Sequence, residues 1–395
     1  MSPLFRRGTP RIRRVDTFSP TDFFGLDEEA RVLASQVREI YTPYRPVRTR
    51  DLLFGREAEV VAVVEALNTP GRHAFVCGER GVGKTSLAAV VATLLTDATS
   101  LPHTVKRCDP ADTFESVLER PLTALGVDVH RIESTVQHTR ARNTNVSIGT
   151  TGIKKERQLA VGALYRPDGR VGVAEAAEHL KAAAGLLVVD EADAITDPTV
   201  LTKVATLIKH LSDLGSPFKV LIVGTPETAA ALTTTHPSAR HCVKTVTLRP
   251  LATDALGHLV RTGGEALGFA FADEVVAGIA RASAGHPHFA HLLALTCAEK
   301  AVVDGRRDIA PADLIYAMAA ATGEVDPGLP AAFIDAVDGD LASPAVDLLK
   351  KAAIADGPEF ESDTVNPAFV PVRPGVYRFA DPRMRPYLRI RFPFG

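Results

Sequence analysis

At 395 residues the chain is too long for one compact core, and 46% apolar with 23% charged residues is the composition of a soluble globular protein of two or three domains. A formal net charge of −2 excludes a basic nucleic-acid coat, and no apolar run approaches the ~20 residues of a membrane span. Cys77, Cys108, Cys242 and Cys297 lie far apart with no C-x-x-C pair, so they read as thiols of a reducing cytoplasm, not as a zinc or disulfide scaffold.

Residues 1–49 read as a basic extension. Arg6, Arg7, Arg11, Arg13 and Arg14 face one acid, Asp16, and no hydrophobic segment follows, so no secretory signal is expected. A helix is expected at 27–41, then an extended lead-in, "TPYRPVRTRDLLFGRE", and a helix over 56–67 ended by "NTPGR". Short β-prone runs then recur at 73–77, 104–108, 186–190, 219–223 and 244–248. Helical patterns lie at 84–96, 111–125, 173–184, 198–214 and 226–233. Strands alternating with helices predict right-handed crossovers and a parallel five-stranded sheet, a three-layer α/β fold over 50–250. Residues 134–170 break the alternation and read as an inserted hairpin, 144–149 against 153–161, carrying Arg140, Arg142, Lys154, Lys155 and Arg157. After 250 the texture is helical: an all-α lid at 251–325, a linker "GEVDPGLPAA", and a small C-terminal domain at 326–395. That domain ends in a basic stretch with Arg373, Arg378, Arg383, Arg385, Arg389 and Arg391 against Asp381. Either basic end could touch phosphates; a solvated tail and a helix with ordinary surface arginines are the alternative.

Two motifs carry chemistry. Gly78, Glu79, Arg80, Gly81, Val82, Gly83, Lys84 and Thr85, with Ser86 next, form G-x-x-x-x-G-K-T between a strand and a helix. Glycines let backbone N–H groups curl around a phosphate, and the helix start adds partial positive charge. Lys84 is the expected contact to the β- and γ-phosphates of ATP, and Thr85 a ligand of Mg²⁺. "GLLVVDEAD" then puts Asp190 at a strand end as the second metal ligand and Glu191 beside it to activate water, which makes the chain an expected Mg-dependent ATPase. "VLIVGTP" brings Thr225 to a neighbouring strand end, either as a γ-phosphate or water contact or as a helix cap.

The order of "LLFGRE", the phosphate loop, "LLVVDEAD", "VLIVGTP" and "HPSARH" resembles the AAA+ and STAND P-loop ATPases over about residues 50–300. Origin-recognition-type initiators, transposition ATPases and prokaryotic STAND NTPases look most similar. The resemblance implies a 5-1-4-3-2 sheet, with Thr225 as the polar sensor and Gly55 and Arg56 bordering the adenine. It also implies that Arg240 reaches a neighbouring subunit's γ-phosphate, with a surface arginine as the alternative. On the lid, "SAGHPHFAHLL" matches the family's G-x-P form at Gly285 and Pro287. His288 stands where an arginine often does, open to a phosphate contact or to packing. The C-terminal piece resembles a winged helix, read either as an intramolecular latch or as a DNA reader. The expected function is an ATP-driven switch that couples nucleotide state to homo-oligomeric assembly and to DNA, through 140–157 and the arginine-rich C-terminus, or to a partner protein. The alternative is a signalling or defence-type NTPase acting on a separate effector without DNA.

Overall fold

The computed structural model describes residues 28–127, 171–235 and 237–393. The expected hairpin, its basic residues at 140–157 and the N-terminal arginines lie outside the described residues. The chain enters through α1 (Glu28–Ile40), a lead-in to Arg56, and α2 (Glu57–Asn68). There follow β1 (His73–Gly78), α3 (Lys84–Thr99), β2 (His103–Arg107), α4 (Phe114–Ala124), α5 (Val173–Leu180) and β3 (Gly185–Asp190). Next come α6 (Pro198–Asp213), β4 (Phe218–Gly224), α7 (Pro226–Thr235) and β5 (Val243–Leu248).

The five strands form one parallel sheet in the order β2-β3-β4-β1-β5. β1 and β3 are buried along their whole length, as central strands covered on both faces must be, and this is why "HAFVC" and "LLVVD" are continuous apolar runs. The edge strand β2 alternates between half-buried and exposed positions. Two apolar layers lie on opposite faces: Phe75, Leu187, Val189 and Ile222 face α4–α6, while Val76, Val188, Leu221 and Val223 face α2 and α3. Caps fix the helix starts. Thr113 and Ser116 form a reciprocal box that starts α4 at Phe114 instead of 111, and Asp197 caps α6 with Pro198 in the first turn.

Beyond the sheet run α8 (Thr253–Ala266), β6 (Ala270–Phe271), α9 (Asp273–Ser283), α10 (Pro287–Val303), β7 (Asp308–Ile309) and α11 (Pro311–Glu324). Then come α12 (Gly328–Ala336), α13 (Pro344–Ile354), β8 (Glu359–Glu361), β9 (Phe369–Arg373), β10 (Val376–Phe379) and α14 (Met384–Arg391). β8-β10-β9 make a small antiparallel sheet. The segment read as a linker is mostly structure: "GEVDPGLPAA" holds the end of α11 and the start of α12, and α12 buries Leu329, Phe333 and Ala336. One continuous apolar cluster runs from α1 through α8–α11 to α12–α14. Gly263 admits α1 to it, since a Cβ there would stand 2.7 Å from the ring of Tyr41.

Candidate functional site

The sheet order brings the carboxyl ends of β1, β3 and β4 side by side, and the chemistry-bearing residues leave from those ends. After β1 the chain turns through Gly78, Gly81 and Gly83, all at positive φ (157°, 87° and 96°), and enters α3 at Lys84. A Cβ on Gly78 would lie 2.6 Å from the Leu248 carbonyl oxygen, so β5 packs against this turn too closely for any other residue. Lys84 Nζ donates to the carbonyls of Gly78 and Glu79 at 2.9 Å each, which aims it across the mouth of the loop. Burial holds its ammonium below the ordinary lysine range, against the pull of Asp193 and Asp190.

At the end of β3, Asp190 accepts from Thr85 Oγ1 at 3.1 Å and from the Glu191 N–H at 3.0 Å. Burial pushes its carboxyl up; the two hydrogen bonds favour the carboxylate and oppose the shift. Arg107 pairs with Asp190 across the β2–β3 register, and its Nε lies 4.0 Å from Glu191 Oε2. Glu191 has a left-handed backbone at φ 57°, a strained conformation for a side chain with a Cβ, and its carboxylate is exposed at the rim. Thr225, at the end of β4, lines the same cleft, and its hydroxyl also accepts from the Thr228 N–H at 3.3 Å. The helix-cap reading of Thr225 is thus seen directly, in a residue that also lines the cleft.

These groups share a cleft of about 620 Å³. Of the residues singled out in the sequence, Arg56, Arg80, Gly81, Val82, Gly83, Lys84, Thr85, Ser86, Asp190, Glu191, Thr225, Pro287 and His288 line it. Gly55, Gly78, Glu79 and Arg240 do not. Arg56 is buried, and its guanidinium donates to the carbonyls of Val82 (3.0 Å) and Arg249 (2.6 Å) and to Glu59 (3.0 Å), so it clamps the loop to the exit of β5. Glu79 faces the opposite side of the loop, 3.9 Å from Arg378 of β10. Arg240 is exposed in the turn Pro237–His241. His288 Nδ1 donates to the Pro43 carbonyl at 2.9 Å and so ties α10 to the lead-in, and burial lowers its pKa.

Sequence reading missed most of the far wall. It is built by the lead-in, Thr42 to Val47, with the Val47 N–H donating to Ser86 Oγ at 3.2 Å. The Pro-rich "TPYRPV" was its only signal. Thr42 Oγ1 is buried without a hydrogen-bond partner, while its N–H donates to His291 Nδ1 at 3.2 Å. His286 was missed too. Its ring rests on the loop opposite Arg383, and a Cβ on Gly81 would meet His286 Cδ2 at 3.2 Å and Arg383 Cγ at 3.5 Å.

The cleft fits a magnesium nucleotide. A glycine loop opens a helix, a lysine crosses it, a hydroxyl and a carboxylate touch 3.1 Å apart, and an unpartnered hydroxyl waits in the opposite wall. Thr85 and Asp190 are the residues that would hold Mg²⁺. Such a site keeps several waters, and among the described residues no cluster of three His, Cys, Asp or Glu groups is needed or found.

The C-terminal arginines do not form a basic face. Arg383 is bound to Asp381 (2.6 Å) and Asp326 (2.9 Å). Arg385 donates to the carbonyls of Ala355 (2.6 Å) and Pro358 (3.4 Å), and Arg389 to those of Ala353 (2.8 Å) and Arg281 (2.7 Å). Only Arg373 and Arg378 of the six are exposed. All four cysteines are buried free thiols, and no described helix is long and apolar enough to cross a membrane.

Residues 68–232 match the family model of an AAA domain. Among solved structures the chain is similar to the Walker-type ATPase of Pyrococcus abyssi, at 16% identity over 89% of this chain and 99% of that one, with a TM-score of 0.52. It is similar to the ORC2 protein of Aeropyrum pernix, described in ADPNP–ADP complexes, at 12% identity over 90% and 98%, with a TM-score of 0.53. It also resembles Cdc6p from Pyrobaculum aerophilum, at 18% identity over 82% and 80%, with a TM-score of 0.48. No protein of curated function matches the sequence.

Proposed function

We propose that this chain, which carries an AAA+ P-loop ATPase domain similar to that of origin-recognition-type proteins, is an ATP-driven switch whose nucleotide state sets the position of its C-terminal part. The observation that carries the reading is the 3.1 Å bond between Thr85 and Asp190, which joins the two nucleotide motifs into one site. Lys84 and the loop N–H groups hold the phosphates, and the lead-in and lid enclose the rest. Mg²⁺, when bound through Thr85 and Asp190, neutralises charge on the phosphate oxygens. Glu191 orients and deprotonates water at the rim, and Thr225 stands beside it to bind water or phosphate. Arg240 is exposed, as an arginine acting on a neighbouring copy must be.

The switch reading rests on the contacts of the loop. Glu79 faces Arg378, and Gly81 lies between His286 of the lid and Arg383 of the C-terminal part. A winged-helix-type latch on the phosphate loop follows, with output through DNA or a partner protein. The inward arginines favour a protein partner, because five of the six that a DNA reader needed make intrachain contacts, Arg378 with Glu79 among them. The test is single-turnover ATP hydrolysis. Glu191→Gln is expected to keep nucleotide binding and slow turnover by about 10²–10⁴-fold. Unchanged turnover would overturn the assignment. ATP-dependent, salt-sensitive DNA binding would restore the DNA reading.

A further inference from the structure

A second cavity, about 750 Å³, lies on the far side of the phosphate loop, between α9 and α11 of the helical region and β10 and α14 of the C-terminal part. That volume is in the ~300–1,000 Å³ range of small-molecule sites. Its apolar wall includes Leu314, Ile315, Met318, Phe379 and Phe392, and Ile315 and Ile354 on this wall are more than half exposed.

The other wall is cationic in an unusual way. Arg385 and Arg389 stand one helical turn apart on α14, so their heads share a face. Both are more than half desolvated, and neither forms an ion pair with any described carboxylate. Their partners are backbone carbonyls at the ends of α13 and α9. A helix end supplies roughly half a negative charge, so two guanidiniums remain under-compensated. Burial first, and then Arg389, push the Arg385 guanidinium down to about 10. Arg281 adds a third, exposed guanidinium that makes no hydrogen bond or ion pair among the described residues. The acids on the rim are Glu79, which faces Arg378 and also acts at longer range on Arg385, Asp356, which acts at longer range on Arg389, and Glu274; none of them forms an ion pair with Arg385 or Arg389.

We infer that this cavity binds an organic anion, an apolar body lying against Ile315, Met318 and Phe379 with its carboxylate, sulfonate or phosphate head on Arg385, Arg389 and Arg281. The oxygens of such a head match the donors that each arginine leaves unused, since each guanidinium has five N–H groups and Arg385 and Arg389 use two each. The inference stands apart from the nucleotide cleft and does not depend on it.

The probe is 8-anilinonaphthalene-1-sulfonate, titrated into the full chain by fluorescence. A saturable single site is expected. Ile315→Trp, at a half-exposed position that fills the cavity without touching the core, is expected to weaken it at least tenfold. Arg281→Gln with Arg389→Gln is expected to do the same, and decyl phosphate or decanoate to displace the probe at a tenfold lower concentration than decanol. The relative strength of the two acids identifies the preferred head. The proposal is overturned by an absence of saturable binding, by a change under twofold in Ile315→Trp, or by decanol competing as well as the acids. The last outcome leaves an apolar cavity with no anion site. Because Arg389 also holds two helix ends, the Ile315 variant decides the case if the arginine variant fails to fold.

Discussion

At the scale of single residues, three histidines stand near the phosphate loop: buried His286 packed on the loop outside the nucleotide cleft, half-buried His288 on the lead-in, and buried His291 behind Thr42. Burial lowers all three, with His286 and His291 brought to about 4. The unfolded chain binds protons near pH 6.5, where the folded one refuses them. Stability is therefore unaffected above pH 6.5, falls as the pH drops from 6.5 to 4, and levels off below. At pH 5 each of His286 and His291 is expected to remove about 2 kcal/mol. His291 Nδ1 accepts the Thr42 N–H, so protonation there also breaks a buried hydrogen bond. Urea midpoints at pH 7 and pH 5 measure the fall, and His291→Gln, which keeps an acceptor and cannot titrate, is expected to flatten it. An equal fall in that variant would assign the acid lability elsewhere.

At the scale of elements, a close joint holds the end of α1 to α8. Tyr41 lies against Gly263 and donates to the Val260 carbonyl at 2.7 Å, so its ring cannot swing away. Gly263→Ala gains about 1 kcal/mol of helix propensity and loses roughly 1–3 kcal/mol to overpacking, so net destabilisation is expected. The control is Gly323→Ala on α11, where an added Cβ meets nothing within 4 Å and stabilisation of up to ~1 kcal/mol is expected. Thermal melts of the two variants should move in opposite directions. Elements built from local signals were legible in the sequence. The continuous apolar runs of β1 and β3, the glycines before Lys84 and the Asp190–Glu191 pair each carry their physics within a few residues. Thr42, His286 and His291 were not legible, because their roles come from contacts across hundreds of positions. The arginines of α14 misled for a related reason. Counting charge in "RMRPYLRIR" says nothing of burial, and α14 is buried on nearly every side, Arg385 along with Met384, Tyr387, Leu388 and Ile390.

At the scale of the whole molecule, Arg383 links three parts: Asp381 beside it, Asp326 at the end of α11, and the loop at Gly81. Arg383→Ala is expected to lower stability by roughly 1–3 kcal/mol, for lost hydrogen bonds between charged groups, and to raise protease cleavage within 357–375. Unchanged cleavage would argue against a latch. For Arg240, sedimentation with a non-hydrolysable ATP analogue is expected to show assembly in the parent chain and weaker assembly, with slower turnover, in Arg240→Ala. Equal behaviour would make it a surface arginine. The placement of α1 also has a consequence in time. Tyr41 is separated by 219 positions from the carbonyl it binds, and Arg38 by 261 from Glu299. At ~5–20 residues per second of synthesis, α1 waits roughly 10–45 s on the ribosome before α8 emerges to receive it. The sheet between them can close first, so the helical half is completed by its earliest-made piece arriving last.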